Sequence, residues 1–206
     1  MNIICFGDSI TQCTPFADGD KWTVVLQHTL DKRYGRRFKV YNRGVGGHTV
    51  SQSFDRFGAD VLPLLPGIVL IQFGFNDIYT FPFTRERRTG IGEFENKLRA
   101  FHRIIKGKGG SSVFIINHLI HEARVRKFFG SAYMPGIRLY NQKIREVANS
   151  LHAPAIDLPV MMKQRKIDLA TFTREYDGLH LNHLKPESGH IYADMVFASL
   201  APILSA

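Results

Sequence analysis

Ile3-Ile4-Cys5-Phe6-Gly7-Asp8-Ser9 sets a short, β-branched apolar run against an abrupt turn. A run this short, apolar at every position and closed by glycine, predicts a strand buried on both faces, the habit of parallel sheets. Similar runs follow at Phe38–Tyr41, Ile68–Phe73, Val113–Asn117 and Ala155–Ile156. Between them the apolar period changes to that of helices. Trp22, Val25, Leu26 and Leu30 make one face, Phe94, Leu98, Phe101 and Ile105 another, and Tyr140, Ile144, Val147 and Leu151 a third. Gly107 to Gly110 stop the second of these, and a last helix is expected from about Pro186 to Leu200. Strand–helix alternation of this kind predicts an α/β fold, a three-layer α/β/α sandwich on a mostly parallel sheet. No linker or internal repeat divides the 206 residues, so a single domain, 1–206, is expected.

In open sheets of this type the ligand crevice lies beyond the carboxyl ends of the strands. Ser9 follows the first expected strand, Gly47 the second and Asn76 the third, so all three emerge at that edge. A serine hydroxyl is a poor nucleophile at neutral pH and needs a base, which in turn needs an orienting group. Asp177-Gly178-Leu179-His180 carries an acid and an imidazole at i, i+3, a spacing that lets both face one direction. Each signal alone is weak. Gly-Asp-Ser arises by chance in roughly one chain in twenty of this length, Asp-x-x-His also describes a surface Asx-turn, glycines 44, 46 and 47 a flexible turn, and Asn76-Asp77 a helix cap.

Taken together and in order, the segments Gly7-Asp8-Ser9-Ile10, Gly47, Gly74-Phe75-Asn76-Asp77 and Asp177-Gly178-Leu179-His180-Leu181-Asn182 resemble the four blocks of the SGNH (GDSL-type) hydrolases. The resemblance runs from residue 2 to about 198, because Gly189-His190-Ile191-Tyr192-Ala193 is similar to that family's closing helix. It implies a flavodoxin-like, five-stranded sheet and a triad of Ser9, Asp177 and His180. It also implies an oxyanion hole formed by the Ser9 and Gly47 backbone N–H groups and the Asn76 amide. Asp8, Phe75, Tyr79 and His118 are the expected substrate-binding residues, with Asp8 and Asp77 structural caps rather than reacting groups. No cofactor and no metal is implied. The implied activity is hydrolysis of a carboxylic ester through an acyl-enzyme, on a short-chain or O-acetyl ester of a carbohydrate or small alcohol. An acyltransferase, lysophospholipase or thioesterase would use the same triad, and a non-catalytic module docking on an anionic polymer would keep the fold without turnover. Two departures bear on pocket shape: His48 stands where many members carry an acid, and Asn117-His118-Leu119-Ile120-His121 replaces a proline-marked segment.

The remaining composition narrows the partners. The formal net charge is +9, but the basic residues are scattered singly and in short groups with no nucleic-acid motif, so most are expected on a solvated face. Two segments, 78–90 and 118–136, mix arginines with aromatic residues after strands. They are expected to rim the crevice and favour an anionic or carbohydrate substrate. A small-molecule ester is therefore the expected partner; no nucleic acid is expected, and the oligomeric state is left open. Cys5 and Cys13 are too few for a disulfide framework, and Cys13 reads as a small packing residue rather than a thiol nucleophile. His118, His121 and Glu122 cluster without the further ligands a metal site needs. No Gly-x-Ser-x-Gly elbow, Walker A or Gly-x-Gly-x-x-Gly occurs. No apolar run approaches the roughly 18–20 residues of a bilayer span, and no leader pattern precedes the first strand, so a cytoplasmic location is expected.

Overall fold

Apolar side chains that alternate between two faces must be covered on both, and this requirement builds the centre of the molecule. In the computed structural model, which describes residues 1–14, 16–80, 86–123, 132–173 and 183–205, strands β1 (Asn2–Gly7) and β3 (Gly67–Gln72) lie side by side and are almost wholly buried. They form the middle of a five-stranded sheet with β2 (Lys39–Gly44), β4 (Ser111–Ile116) and β5 (Ala155–Asp157). The order is β2-β1-β3-β4-β5, and every pairing is parallel. Ile4 pairs with Tyr41 on one side and Val69 on the other. The edges are a half-buried β2 and a three-residue β5, which leaves little open backbone for stray pairing.

Helices α1 (Ser9–Gln12) and α2 (Trp22–Tyr34) join β1 to β2, and α3 (Val50–Asp60) joins β2 to β3. Helix α4 (Ile91–Gly107) leads to β4 and α5 (Tyr133–Ser150) to β5. Helices α6 (Leu158–Gln164), α7 (Leu169–Phe172) and α8 (Pro186–Ser205) complete the described chain. The chain steps outward from β1 to β2 and then in the opposite direction through β3, β4 and β5. Right-handed crossovers therefore put α2 on one face and α3, α4 and α5 on the other. The packing follows: α3 lies against α4 and α4 against α5, while α8 returns to α2. On the first of these two interfaces Phe6 meets Phe57, Phe73 and Phe101 edge-on, with centroids 5.3 to 5.5 Å apart. On the other, Trp22 lies 5.1 Å from Tyr192.

The α/β/α sandwich and its five strands match the sequence reading, with differences at element ends. β2 continues through Asn42, Arg43 and Gly44 because its backbone pairs with Cys5, Phe6 and Gly7 whatever the side chains are. Helix α3 is not among the helices expected from the sequence. Its start is nonetheless written in Thr49-x-x-Gln52, a capping box in which Gln52 N–H donates to Thr49 Oγ1 and Thr49 N–H to Gln52 Oε1.

Candidate active site

The serine turn sits in a notch that only glycine leaves open. A Cβ on Gly7 would lie 2.2 Å from Thr11 Oγ1 and 2.7 Å from the Gln72 carbonyl, and one on Gly44 would lie 2.2 Å from Gln12 N. Two bare strand ends thus let α1 drop between β1, β2 and β3. Asp8 caps that helix, its Oδ1 accepting from Ile10 N–H at 2.9 Å, and Ser9 is the first helical residue. Trp22 Nε1 donates to the Ile10 carbonyl at 2.9 Å, tying the turn to α2. From the opposite side Arg56 of α3 donates to the carbonyls of Gly7 and Arg43, each at 2.9 Å, with its guanidinium 4.6 Å from the Phe6 ring centroid.

Beneath this edge runs a connected set of buried amides. Thr11 Oγ1 donates to Gln72 Oε1 at 3.0 Å, Gln72 Nε2 to Asn117 Oδ1 at 2.7 Å, and Asn117 Nδ2 to the Phe73 carbonyl at 2.7 Å. Asn141 of α5 completes the chain, accepting from Asn117 N–H and donating to the Asn117 carbonyl at 2.9 Å. A network satisfied at each link is rigid, and this one joins α1 to the ends of β3 and β4 and to α5.

Two loops face the serine. After β2, Val45 N–H donates to the Gly7 carbonyl at 3.1 Å and Gly46 N–H to Gln12 Oε1 at 2.8 Å. A turn from Val45 to His48 places Gly47 at φ +76, the third-position geometry that favours glycine. A Cβ on Gly46 would lie 3.8 Å from Ser9 Cβ, so this exposed turn borders the hydroxyl. After β3, Asn76 is 8% exposed and donates one amide hydrogen to the His48 carbonyl at 3.1 Å. A primary amide carries two such hydrogens, so a second donor remains. Asp77 reaches across to the neighbouring element: its Oδ1 accepts from Val50 N–H at 3.0 Å, at the start of α3.

Ser9 Oγ lies 2.8 Å from Nε2 of His183. Asp177 and His180, the expected acid and base, lie outside the described residues. His183 went unnoticed in the sequence reading, although an imidazole three positions beyond His180 was its visible signal. A small cleft of about 10 Å³ adjoins the serine, lined by Ile10, Cys13, Thr14, Phe16, His183 and Leu184.

Of the expected substrate-binding residues, Tyr79 is partly buried, with its ring 5.3 Å from that of Tyr133. The other three lie beneath the floor instead: Asp8 and His118 are 0% and Phe75 1% exposed. The physical reason is packing, since His118 sits 5.0 Å from the Phe75 ring, 5.7 Å from Phe172 and 6.0 Å from Tyr192, while Asp8 is turned to its cap. Burial pushes the Asp8 carboxyl up to about 7, offset by the Ile10 N–H and reinforced by the nearby Asp77 charge. Burial likewise raises Asp77 to about 6 against the pull of the Val50 N–H. His48 is lowered by burial and then by the charges of Arg56 and Arg88, which disfavour the charged form of the imidazole next to Gly47. Cys5 and Cys13 are buried, and Cys13 Sγ donates to the Ile10 carbonyl at 3.1 Å.

Of the expected rim, residues 81–85 and 124–131 lie outside the described part, taking with them Phe81, Arg85, Arg124, Arg126, Lys127, Phe128 and Phe129. The described remainder includes Arg87, 5.4 Å from the Tyr140 ring centroid, and Arg88, which donates to Gln52 Oε1 at 3.1 Å. Among the described residues no three His, Cys, Asp or Glu side chains gather as metal ligands, and no helix is long and apolar enough to cross a membrane.

Comparison with known proteins bears on this geometry. An acetylxylan esterase from Geobacillus stearothermophilus is 31% identical over 113 residues, 48% of this chain and 51% of that protein, so the match spans about half the relative's length. Among solved structures, an acetylxylan esterase from the same organism superposes with a TM-score of 0.78 at 19% identity, covering 97% of this chain and 93% of that one. A lipase/acylhydrolase from Enterococcus faecalis gives 0.78 at 19% identity, covering 97% and 94%. At such identities the structures speak for the fold alone. The model of the GDSL-like lipase/acylhydrolase family matches residues 5–184, nearly the whole described sheet and both sides of the serine site, and the chain belongs to that family.

Proposed function

We propose that this chain is a serine carboxylic-ester hydrolase that removes short acyl groups, acetyl foremost, from a carbohydrate or small alcohol. The observation that carries the proposal is the 2.8 Å approach of Ser9 Oγ to an imidazole nitrogen at the carboxyl edge of the sheet. Ser9 attacks the ester carbonyl while the imidazole takes its proton and then delivers it to the departing alkoxide. Water repeats the sequence to release the acid and restore the serine. The oxyanion of each tetrahedral intermediate is met by the Ser9 and Gly47 N–H groups and by the second amide hydrogen of Asn76, which the His48 carbonyl leaves unused. The cleft beside the hydroxyl, about 10 Å³, favours a short acyl tail over a long one. Family membership supports acyl-ester hydrolysis, and the Geobacillus acetylxylan esterase relative supports the acetyl group.

The motif assigns the base to His180 and its orienting acid to Asp177. A second reading, favoured by the Ser9 contact, gives the base to His183. Nitrophenyl esters of rising chain length, run beside acetylated sugars on Ser9→Ala, His180→Ala and His183→Ala, separate these. Ser9→Ala is expected to lose on the order of 10⁴–10⁶ in kcat. The histidine that serves as base loses a comparable factor on substitution by alanine, and the other far less. Full activity in Ser9→Ala, or no fluorophosphonate adduct on Ser9, would overturn the proposal.

A further inference from the structure

Beyond the carboxyl ends of β4 and β5 lies a second cavity, of about 470 Å³, lined by neither Ser9, Gly47, Asn76 nor His183, with Asn141 of the buried amide network in its wall. It falls between the segment after β4, α5 and α6. Ile120, Met134, Ile137 and Pro159 give it a buried apolar floor. Its rim is basic. Among the described residues Arg138, Arg145 and Lys163 border it, against the single acid Glu122. Glu122 stands 3.7 Å from Arg138, beyond hydrogen-bond distance, so that guanidinium keeps its donors for a ligand. Arg145 commits Nε and Nη2 to Asp157, at 2.6 and 3.0 Å, which fixes the guanidinium and leaves Nη1 open. Lys163 makes no ion pair among the described residues. Counting Asp157 with Glu122, the site still carries one excess positive charge. A volume of this size belongs to small-molecule sites, and an apolar floor under guanidinium donors suits a ring that carries a carboxylate.

The position matters as much as the chemistry. Strands in a sheet lie about 4.8 Å apart, and β4 and β5 are two and three places from β1. The cavity therefore opens on the same edge as Ser9, roughly 10–14 Å along it. A short oligosaccharide spans that separation; the acetyl ester of a small alcohol does not.

We propose that this cavity binds the carboxylate of an acidic sugar in the alcohol part of the substrate, remote from the ester cleaved at Ser9. The claim rests on the esterase reading for its link to catalysis, but not for the binding itself. The test is isothermal titration of the whole chain with a uronic-acid-branched xylo-oligosaccharide, already deacetylated, and with the same compound after methyl esterification of its carboxyl group. Wild type is expected to bind the free acid at least about fivefold more tightly than the methyl ester, and Arg138→Glu with Lys163→Glu to abolish that preference. Both side chains are exposed on helices, and thermal melting of the double variant checks that it folds. Hydrolysis of nitrophenyl acetate by the double variant should stay at the wild-type rate. Equal affinity for the two compounds, no binding of either, or a preference that survives the double substitution overturns the proposal. Absence of Ser9 labelling alongside an intact preference would instead overturn the esterase reading and leave an acidic-sugar site.

Discussion

Asp8 sits one residue from Ser9, the proposed nucleophile, yet its contribution is to the cap of α1 and to the pH response of the fold. In an unfolded chain an aspartate titrates near 3.9; here burial lifts Asp8 to about 7. Between those values the folded state holds a proton that the unfolded chain has released. The stability this confers is complete below about pH 4 and is lost as pH rises through 7. Asp77, at about 6, acts in the same direction over a narrower window. Asn at position 8 keeps an oxygen for the Ile10 N–H and removes the titration. The melting temperature of Asp8→Asn relative to wild type should therefore climb steadily between pH 4 and pH 8; a pH-independent difference would show that Asp8 does not titrate there. Asn76 separates from Asp8 by readout. If its second amide hydrogen serves the oxyanion, Asn76→Ala lowers kcat by about 10²–10³ with KM little changed. A rise in KM alone would return Asn76 to the role of tying the β3 loop to His48.

Among the elements, those with a continuous apolar signal were legible and those built by contact were not. β1, β3, α4 and α5 carry their burial in the order of their residues, and each lies where periodicity placed it. Helix α3 was missed although Val50, Phe54 and Phe57 fall at helical spacing, since no other large apolar residue extends the pattern inside it. Its work is done by Arg56, whose bonds to Gly7 and Arg43 no sequence pattern displays. The same contrast divides the glycines. Gly58 lies inside α3 with nothing within 4 Å of an added Cβ, so Gly58→Ala should stabilise by roughly 0.5–1 kcal/mol through helix propensity. For a chain of this size that raises the melting temperature by about 1–4 °C. Gly44→Ala would press a Cβ onto Gln12 N, backbone that cannot swing aside as a side-chain tip can. It should cost about 1–3 kcal/mol or more and displace α1. Calorimetric melts of the two variants, with nitrophenyl acetate rates beside them, check this: activity should fall in Gly44→Ala and hold in Gly58→Ala. Equal stability of the two would mean that the notch relaxes.

At the scale of the whole molecule, the sheet order is what makes a distributed set of residues into one site. The placement of Ser9 at the sheet edge was legible because a strand, a glycine and a serine are adjacent in sequence; that of the Gly46–Gly47 turn and Asn76 was legible because each follows a strand in the same parallel sheet. His183 was not, because it lies 174 positions from Ser9 and its approach depends on the return of the carboxyl-terminal part of the chain to β1. The burial of His118 was hidden for a similar reason: Phe172 and Tyr192 arrive from late in the sequence to pack against it. Charge belongs to this scale too. A formal net charge of +9 on 206 residues sets up a field that attracts anions before any contact forms. That field extends about 30 Å at 0.01 M salt and about 8 Å at 0.15 M. The kcat/KM for a nitrophenyl ester with an anionic acyl chain should consequently fall several-fold across that range, whereas that for neutral nitrophenyl acetate should not, since a neutral molecule gains nothing from the potential. Parallel salt profiles of the two substrates measure the difference directly. Coincident profiles would mean that the positive charge is spread too evenly to steer, and would confine anion selectivity to contacts made at close range.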